Sequence, residues 1–80
     1  METEKALELL ERLEGETVYL IEVVDGKVSP GIYNPIIFDE DDIDYLAEEI
    51  LEGNLEFIRC EYRGMRDFEH YAIYILKNYN

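Results

Sequence analysis

Residues 18–33 have the sequence VYLIEVVDGKVSPGIY, which predicts a β-hairpin. The β-branched and aromatic run ends at Val24, Asp25-Gly26 is a dipeptide preferred in type I′ turns, and the chain returns from Lys27 to Tyr33. In such a turn Val24 faces Lys27. Alternate residues of the first strand therefore lie on the same face of the hairpin as the residues opposite them in the second strand. We expect that shared face to be the core face, formed by Tyr19, Ile21, Val23, Val28, Pro30 and Ile32.

A helix is predicted before this hairpin and another after it. Thr3 is the expected N-cap of the first helix, and Gly15 is expected to end it. Asn34-Pro35 breaks the chain, Asp39 is the expected N-cap of the second helix, and Gly53 ends it. Each helix has one apolar face at helical spacing: Ala6, Leu9, Leu10 and Leu13 in the first, and Ile43, Leu46, Ala47, Ile50 and Leu51 in the second.

A second hairpin is predicted after the second helix, with strands at residues 55–62 and 68–76 and a turn at residues 63–67. The element order is therefore α-β-β-α-β-β, and the fold class is α+β. We expect a four-stranded antiparallel sheet with both helices packed on one face. Pro30 has no N–H to donate, so its strand is expected to lie at a sheet edge or to carry a bulge.

Residues 1–80 are expected to form one domain, since this length is near the lower limit for independent folding. Two glycine pairs, Gly15 with Gly53 and Gly26 with Gly64, have the same spacing in sequence. This suggests a degenerate αββ repeat with halves 1–33 and 39–76. Short αββ units also recur without common origin, so both explanations stay open.

The composition indicates what the protein binds. Its net charge is −13, from 20 acidic and 7 basic residues. Such a charge opposes direct binding to nucleic acid or to anionic lipid, so we expect a basic protein partner. Apolar runs such as residues 71–76 are far too short to span a membrane. Cys60 is the only cysteine and no secretion signal is recognised, so a cytoplasmic location is expected, in the host cell if the protein is viral.

The negative charge is concentrated in residues 28–58, which contain nine acidic residues and no Lys or Arg. A helical wheel places the acids of the second helix opposite its apolar residues, with Tyr45 among them. Six carboxylates between Asp41 and Glu52 span about 16 Å, or about one charge per 3 Å, close to the ~3.4 Å phosphate spacing of a DNA strand. The predicted partner-binding residues are Asp39, Glu40, Asp41, Asp42, Asp44, Tyr45, Glu48, Glu49 and Glu52.

This pattern favours a non-enzymatic inhibitor that imitates nucleic acid and binds the basic DNA- or RNA-binding surface of a larger protein. A simpler explanation is the solvated side of an amphipathic helix, with acidity serving solubility. That would explain the acids but not the missing Lys and Arg, which normally relieve like-charge repulsion. The alternative function is a small adaptor or homodimeric interaction domain that uses its sheet and exposed tyrosines.

No catalytic or metal-binding motif is recognised, so we expect neither an enzyme nor a cofactor. The lone His70, Cys60 and Ser29 do not form a nucleophile–base–orienter set and are interpreted as strand residues. The one metal candidate is the acidic run Asp39 to Asp44, which superficially suggests a calcium loop that starts at Asp39. An EF-hand needs glycine at its sixth position and Glu at its twelfth, where this chain has Asp44 and Ile50. Helix capping explains the same acids, so no metal site is expected.

In size, charge and lack of a catalytic set, the chain resembles the small acidic inhibitors that phages and archaeal viruses use against restriction or CRISPR systems. The resemblance implies an anti-restriction or anti-CRISPR role through DNA or RNA mimicry. It rests on these general properties and assigns no residue roles.

Overall fold

The computed structural model of the chain describes residues 2–28, 35–66 and 68–78. They form an α+β fold with two helices and a mixed sheet of five strands. The helices are α1 (Thr3–Arg12) and α2 (Glu40–Leu51), and the strands are β1 (Thr17–Val24), β2 (Lys27–Val28), β3 (Ile36–Ile37), β4 (Leu55–Met65) and β5 (Phe68–Lys77). None of the helices among these residues combines the length and apolarity needed to cross a membrane.

The sheet has the strand order β2-β1-β5-β4, and β3 pairs with the start of β1. The prediction of four antiparallel strands is wrong, because β1 and β5 pair in parallel. The central position of β5 has a physical reason: residues 72–75 are buried, and their side chains alternate between the two faces of the sheet. β4 carries charged residues and takes the edge, where their side chains stay in water.

The first hairpin forms as predicted at its turn. Val24 pairs with Lys27, and Asp25 and Gly26 have φ angles of 52° and 77°, the positive values that a type I′ turn requires. Residues 29–34 lie outside the described residues, and with them the predicted return to Tyr33 and the edge or bulge at Pro30. The short strand β3 was not predicted, since its two residues give no periodic signal.

The core lies between the helices and one face of the sheet, the helix face. Its buried residues are Ala6, Leu10, Leu13, Val18, Phe38, Leu46, Leu55, Phe57, Ile73 and Ile75. The predicted core face of β1 is wrong: Tyr19, Ile21 and Val23 lie on the opposite face, the far face, in a smaller cluster with Ala72 and Tyr74. The alternation was ambiguous because Val18 and Leu20, on the helix face, are apolar as well.

The helix boundaries differ in detail from the prediction. The N-cap of α1 is Glu2, which makes no side-chain capping bond, and not Thr3. The C-cap of α1 is Leu13, and Gly15 follows two residues later with φ 85°. In α2 the predicted cap Asp39 is confirmed. Leu51 was expected on the apolar face but is 67% exposed, because it lies in the last turn at the margin of the apolar sector.

The second hairpin is longer than predicted. Met65 pairs with Phe68, so the strands continue through most of the expected turn. Phe57 pairs with Ile75 and Arg59 pairs with Tyr74, which leaves Ile58 as the extra residue of a β-bulge.

The repeat stays a prediction. Gly15 and Gly53 share positive φ angles of 85° and 81°. Gly26 lies in a turn, whereas Gly64 lies within β4, so only one of the two glycine pairs is structurally equivalent.

Candidate acidic interface

The start of α2 is held by two of the predicted interface residues. The N–H of Asp42 donates to Oδ1 of Asp39 over 3.0 Å, and the N–H of Asp39 donates to Oδ2 of Asp42 over 3.1 Å. This reciprocal pair is a capping box, here with Asp in place of the usual Glu or Gln. Asp39 and Asp42 therefore stabilise the helix, and each keeps a second carboxylate oxygen outside the cap.

The nine predicted interface residues lie together on α2 and its N-cap, and we call them the acidic face. Seven are exposed and two, Asp42 and Glu49, are half-buried. Within the described part of the chain, no Lys or Arg forms an ion pair with any of them. Tyr45 is 56% exposed among these acids. The negative charges of this face are thus not neutralised by the described residues.

Two acids at the C-terminal end of α1 and in the turn that follows it extend the acidic face. The N–H of Gly15 donates to the carbonyl oxygen of Phe38 over 2.7 Å. The N–H of Phe38 in turn donates to the carbonyl oxygen of Glu16 over 2.9 Å. These bonds join the end of α1 to the entrance of α2. A shallow groove between the helices is lined by Glu11, Glu14, Glu40, Ile43 and Asp44.

Glu11 and Glu14 were not predicted as interface residues, because α1 as a whole mixes both signs of charge. Its basic residues are segregated in space: Lys5 and Arg12 line a different groove, with Glu8 and Leu9. Only a weak signal in the sequence indicates that Glu14 lies away from the basic residues of α1. Glu14 follows Arg12, which is the last basic residue of the predicted first helix.

On its other side, the acidic face borders an apolar groove between α2 and the sheet. Tyr45 stands at this groove, beside the buried residue Leu46. The remaining lining residues are Leu20, Glu22, Leu55, Ile75 and Lys77. A partner that contacts the acids would therefore also meet an exposed aromatic ring and apolar surface, which are typical of the energetic centre of an interface.

Positive charge lies on the far face of the sheet. Nε of Arg59 is 2.9 Å from Oε1 of Glu61, and its guanidinium carbon is 3.9 Å from the centroid of the Tyr74 ring. The Tyr74 hydroxyl donates to Oε2 of Glu61 over 3.2 Å, and Arg63 contacts both the hydroxyl and Glu61. The hydrogen bond from Arg59 holds the pKa of Glu61 below its ordinary value. The guanidinium groups of Arg59 and Arg63 therefore both contact the carboxylate of Glu61, on the face of the sheet opposite the helices.

His70 and Cys60 are packed strand residues, as predicted. His70 is 8% exposed, with ring centroids 5.0 Å from Tyr19 and 4.8 Å from Phe68. Cys60 is half-buried, and burial, with a smaller contribution from Glu61, raises the pKa of its thiol. Ser29 lies outside the described residues. In residues 2–28, 35–66 and 68–78, no three His, Cys, Asp or Glu side chains are grouped to hold a metal ion.

No protein-family model, curated protein or solved structure matches this chain. The candidate interface is therefore interpreted from its own chemistry: exposed carboxylates without internal cations, one exposed tyrosine, and a neighbouring apolar groove.

Proposed function

We propose that this protein is a non-enzymatic inhibitor whose acidic face occupies the basic DNA- or RNA-binding surface of a larger protein, as in viral or phage counter-defence. One observation carries the proposal: the acids of α2 are mostly exposed, and no cation of the described residues pairs with them. Charge of a single sign opposes compaction, and a basic partner would replace that repulsion with attraction.

The arrangement of the acids supports this role. Averaged along the axis of α2, the six carboxylates from Asp41 to Glu52 give about one charge per 3 Å, close to the phosphate interval of one DNA strand. Glu11 and Glu14 add charges across the groove from Glu40 and Asp44, so the negative surface is wider than one helix. Tyr45 supplies an exposed aromatic ring within this surface, which would hold the partner after electrostatic steering has brought it close.

A second candidate is an adaptor or homodimeric domain in which acidity serves solubility. It is favoured by the exposed Tyr62, at 56%, and by the position of β4 at a sheet edge. The two candidates differ in what binding depends on. A mimic depends on carboxylates and weakens as salt rises, whereas an adaptor depends on apolar and backbone contacts.

The test begins with a pull-down from host lysate and mass spectrometry, followed by competition with DNA and RNA. A neutralised variant carries Asp41→Asn, Asp44→Asn, Glu48→Gln and Glu52→Gln. A matched control changes four exposed acids elsewhere to Gln, at Glu4, Glu8, Glu56 and Glu69. Both variants change the net charge equally, so only the location of the charge differs.

We expect the neutralised variant to bind the recovered partner about 100-fold more weakly, since several paired charges are lost, and the control variant to bind nearly as the native protein does. Tyr45→Ala should raise the dissociation rate with little change in salt dependence. Equal affinities of the two charge variants, or native binding that is indifferent to salt, would contradict mimicry and favour the adaptor.

A further inference from the structure

The outer edge of β4 is the longest unpaired strand edge among the described residues. β4 has eleven residues and pairs with β5 alone within this part of the chain. Such an edge presents backbone N–H and C=O groups to another strand. Proteins commonly protect edges with bulges and charged side chains, and β4 has both. Their positions decide whether the edge is blocked or remains able to pair.

The bulge divides β4 into two parts. Ile58 is the extra residue, and from Arg59 to Met65 each residue pairs with β5 without a shift in register. These seven residues form a regular edge. The side chains of this segment on the far face are Arg59, Glu61 and Arg63, which form the network with Tyr74. The charges on this face therefore alternate in sign along the strand.

We propose that a second copy of this chain pairs with residues 59–65 in antiparallel orientation, about a two-fold axis at Tyr62. In this register Glu61 lies opposite Arg63 of the second copy, and Arg63 lies opposite Glu61 of the second copy. All seven regular residues pair, and side chains opposite each other lie on the same face. Opposite charges in cross-strand pairs stabilise such pairing, and like charges oppose it.

Neighbouring registers are less favourable. With Glu61 on the axis, two Glu61 carboxylates face each other and Arg59 faces Arg63. With Cys60 on the axis, pairing soon reaches the bulge and would set Ile58 against Tyr62. Those two side chains lie on opposite faces, since Ile58 packs in the far-face cluster and Tyr62 contacts Tyr71 on the helix face.

The side chain of Tyr62 fits a position on the axis. A Cβ on Gly64 would lie 2.6 Å from the Tyr62 hydroxyl, so the ring lies along the strand over the glycine. It remains 56% exposed. Two such rings would meet at the axis and cover each other. The axis is perpendicular to the sheet, so both helix layers, with their acidic faces, would lie on the same side of the dimer.

Charge reversal tests this pairing. Sedimentation equilibrium of the native chain, over about 1 µM to 1 mM at ~0.15 M salt, should show a reversible dimer. E61R and R63E should each dimerise at least about tenfold more weakly, because each places like charges opposite each other. An equimolar mixture of E61R and R63E should recover the dimer, since the two chains complement each other. Arg12→Glu, which makes the same charge change as R63E on α1, should dimerise as the native chain does.

Glu61 and Arg63 also contact Tyr74, so thermal melts must show that both variants fold. The equimolar mixture is a further control for folding. If the variants failed to dimerise because they were misfolded, mixing them would not restore the dimer. A monomeric native chain at the highest concentration, or a mixture no more dimeric than its components, would overturn the proposal.

Cross-linking tests the register. Tyr62→Cys in a Cys60→Ser background places a single thiol at the proposed axis. Tyr45→Cys in the same background is the matched control, because Tyr45 and Tyr62 are both 56% exposed. Under mild oxidation at dilute concentration, the Tyr62→Cys chain should form a disulfide dimer much faster than the control. Equal rates would show that the axis does not lie at Tyr62.

Discussion

The backbone N–H of Gly15 donates to the carbonyl oxygen of Phe38 over 2.7 Å, and this bond joins the end of α1 to the segment that enters α2. Phe38 is fully buried, so the contact is anchored in the core. Asp39 follows directly and caps α2. One short segment therefore sets both the start of α2 and its position beside Glu11 and Glu14 at the end of α1, which determines the shape of the acidic face.

The capping box predicts that Asp39→Ala destabilises the protein. The substitution leaves the N–H of Asp42 without its acceptor. We expect a loss of about 1 kcal/mol, or about 4–8 °C in Tm for a domain of this size. Asp39→Asn is the control, because Asn removes the charge but still accepts the bond. Thermal melts followed by circular dichroism measure both. Equal losses in the two variants would show that charge, and not the cap, stabilises this helix end.

The two leucines of α2 should respond very differently to truncation. Leu46 is 2% exposed in the core, whereas Leu51 is 67% exposed. Leu46→Ala should lower the free energy of unfolding by about 2–5 kcal/mol through lost contacts and a residual cavity. Leu51→Ala should change it by no more than about 0.5 kcal/mol. Urea denaturation gives both values. A large loss at Leu51 would mean that its side chain is covered, for example by a partner copy.

The sequence predicts best where the signal is local. The turn at Asp25-Gly26 follows from two residues that tolerate positive φ, and the cap of α2 follows from Asp39 at the start of an apolar period. Both α2 and the acids on it are placed correctly for the same reason.

Long-range pairing was not predictable in this way. β1 has apolar residues on both faces, so its alternation did not show which face the helices cover. The parallel pairing of Val18 with Tyr71 joins residues far apart in sequence, and no turn residue specifies it. Likewise, Glu11 and Glu14 join the acidic face only because the chain brings the two helices together.

The neutralised variant with Asn at Asp41 and Asp44, and Gln at Glu48 and Glu52, should keep the fold with unchanged or increased stability, since these exposed acids repel one another. Loss of Asp41 from the first turn costs a few tenths of a kcal/mol at most, through the helix dipole. A cooperative thermal melt checks this. A fall of more than about 10 °C would show that these carboxylates are structural.

The last prediction concerns pH and Glu61. Its pKa lies below the ordinary value chiefly because Arg59 donates a hydrogen bond to the carboxylate, with further bonds from Tyr74 and Arg63. A carboxyl group with a lowered pKa in the folded state stabilises that state above the ordinary pKa, and this contribution is lost as pH falls through the folded value. Native protein should therefore be more stable than Glu61→Gln near neutral pH.

The difference between the two proteins should shrink below about pH 4, where the carboxyl group of the unfolded chain is already protonated. Urea denaturation of both at several pH values measures it, and comparison with Glu56→Gln removes the general effect of lowering the net charge. Glu56 is an exposed acid of the same strand and forms no ion pair within the described residues. A Glu61→Gln difference that stays constant from neutral to acid pH would show that the network with Arg59 does not depend on the charge of Glu61.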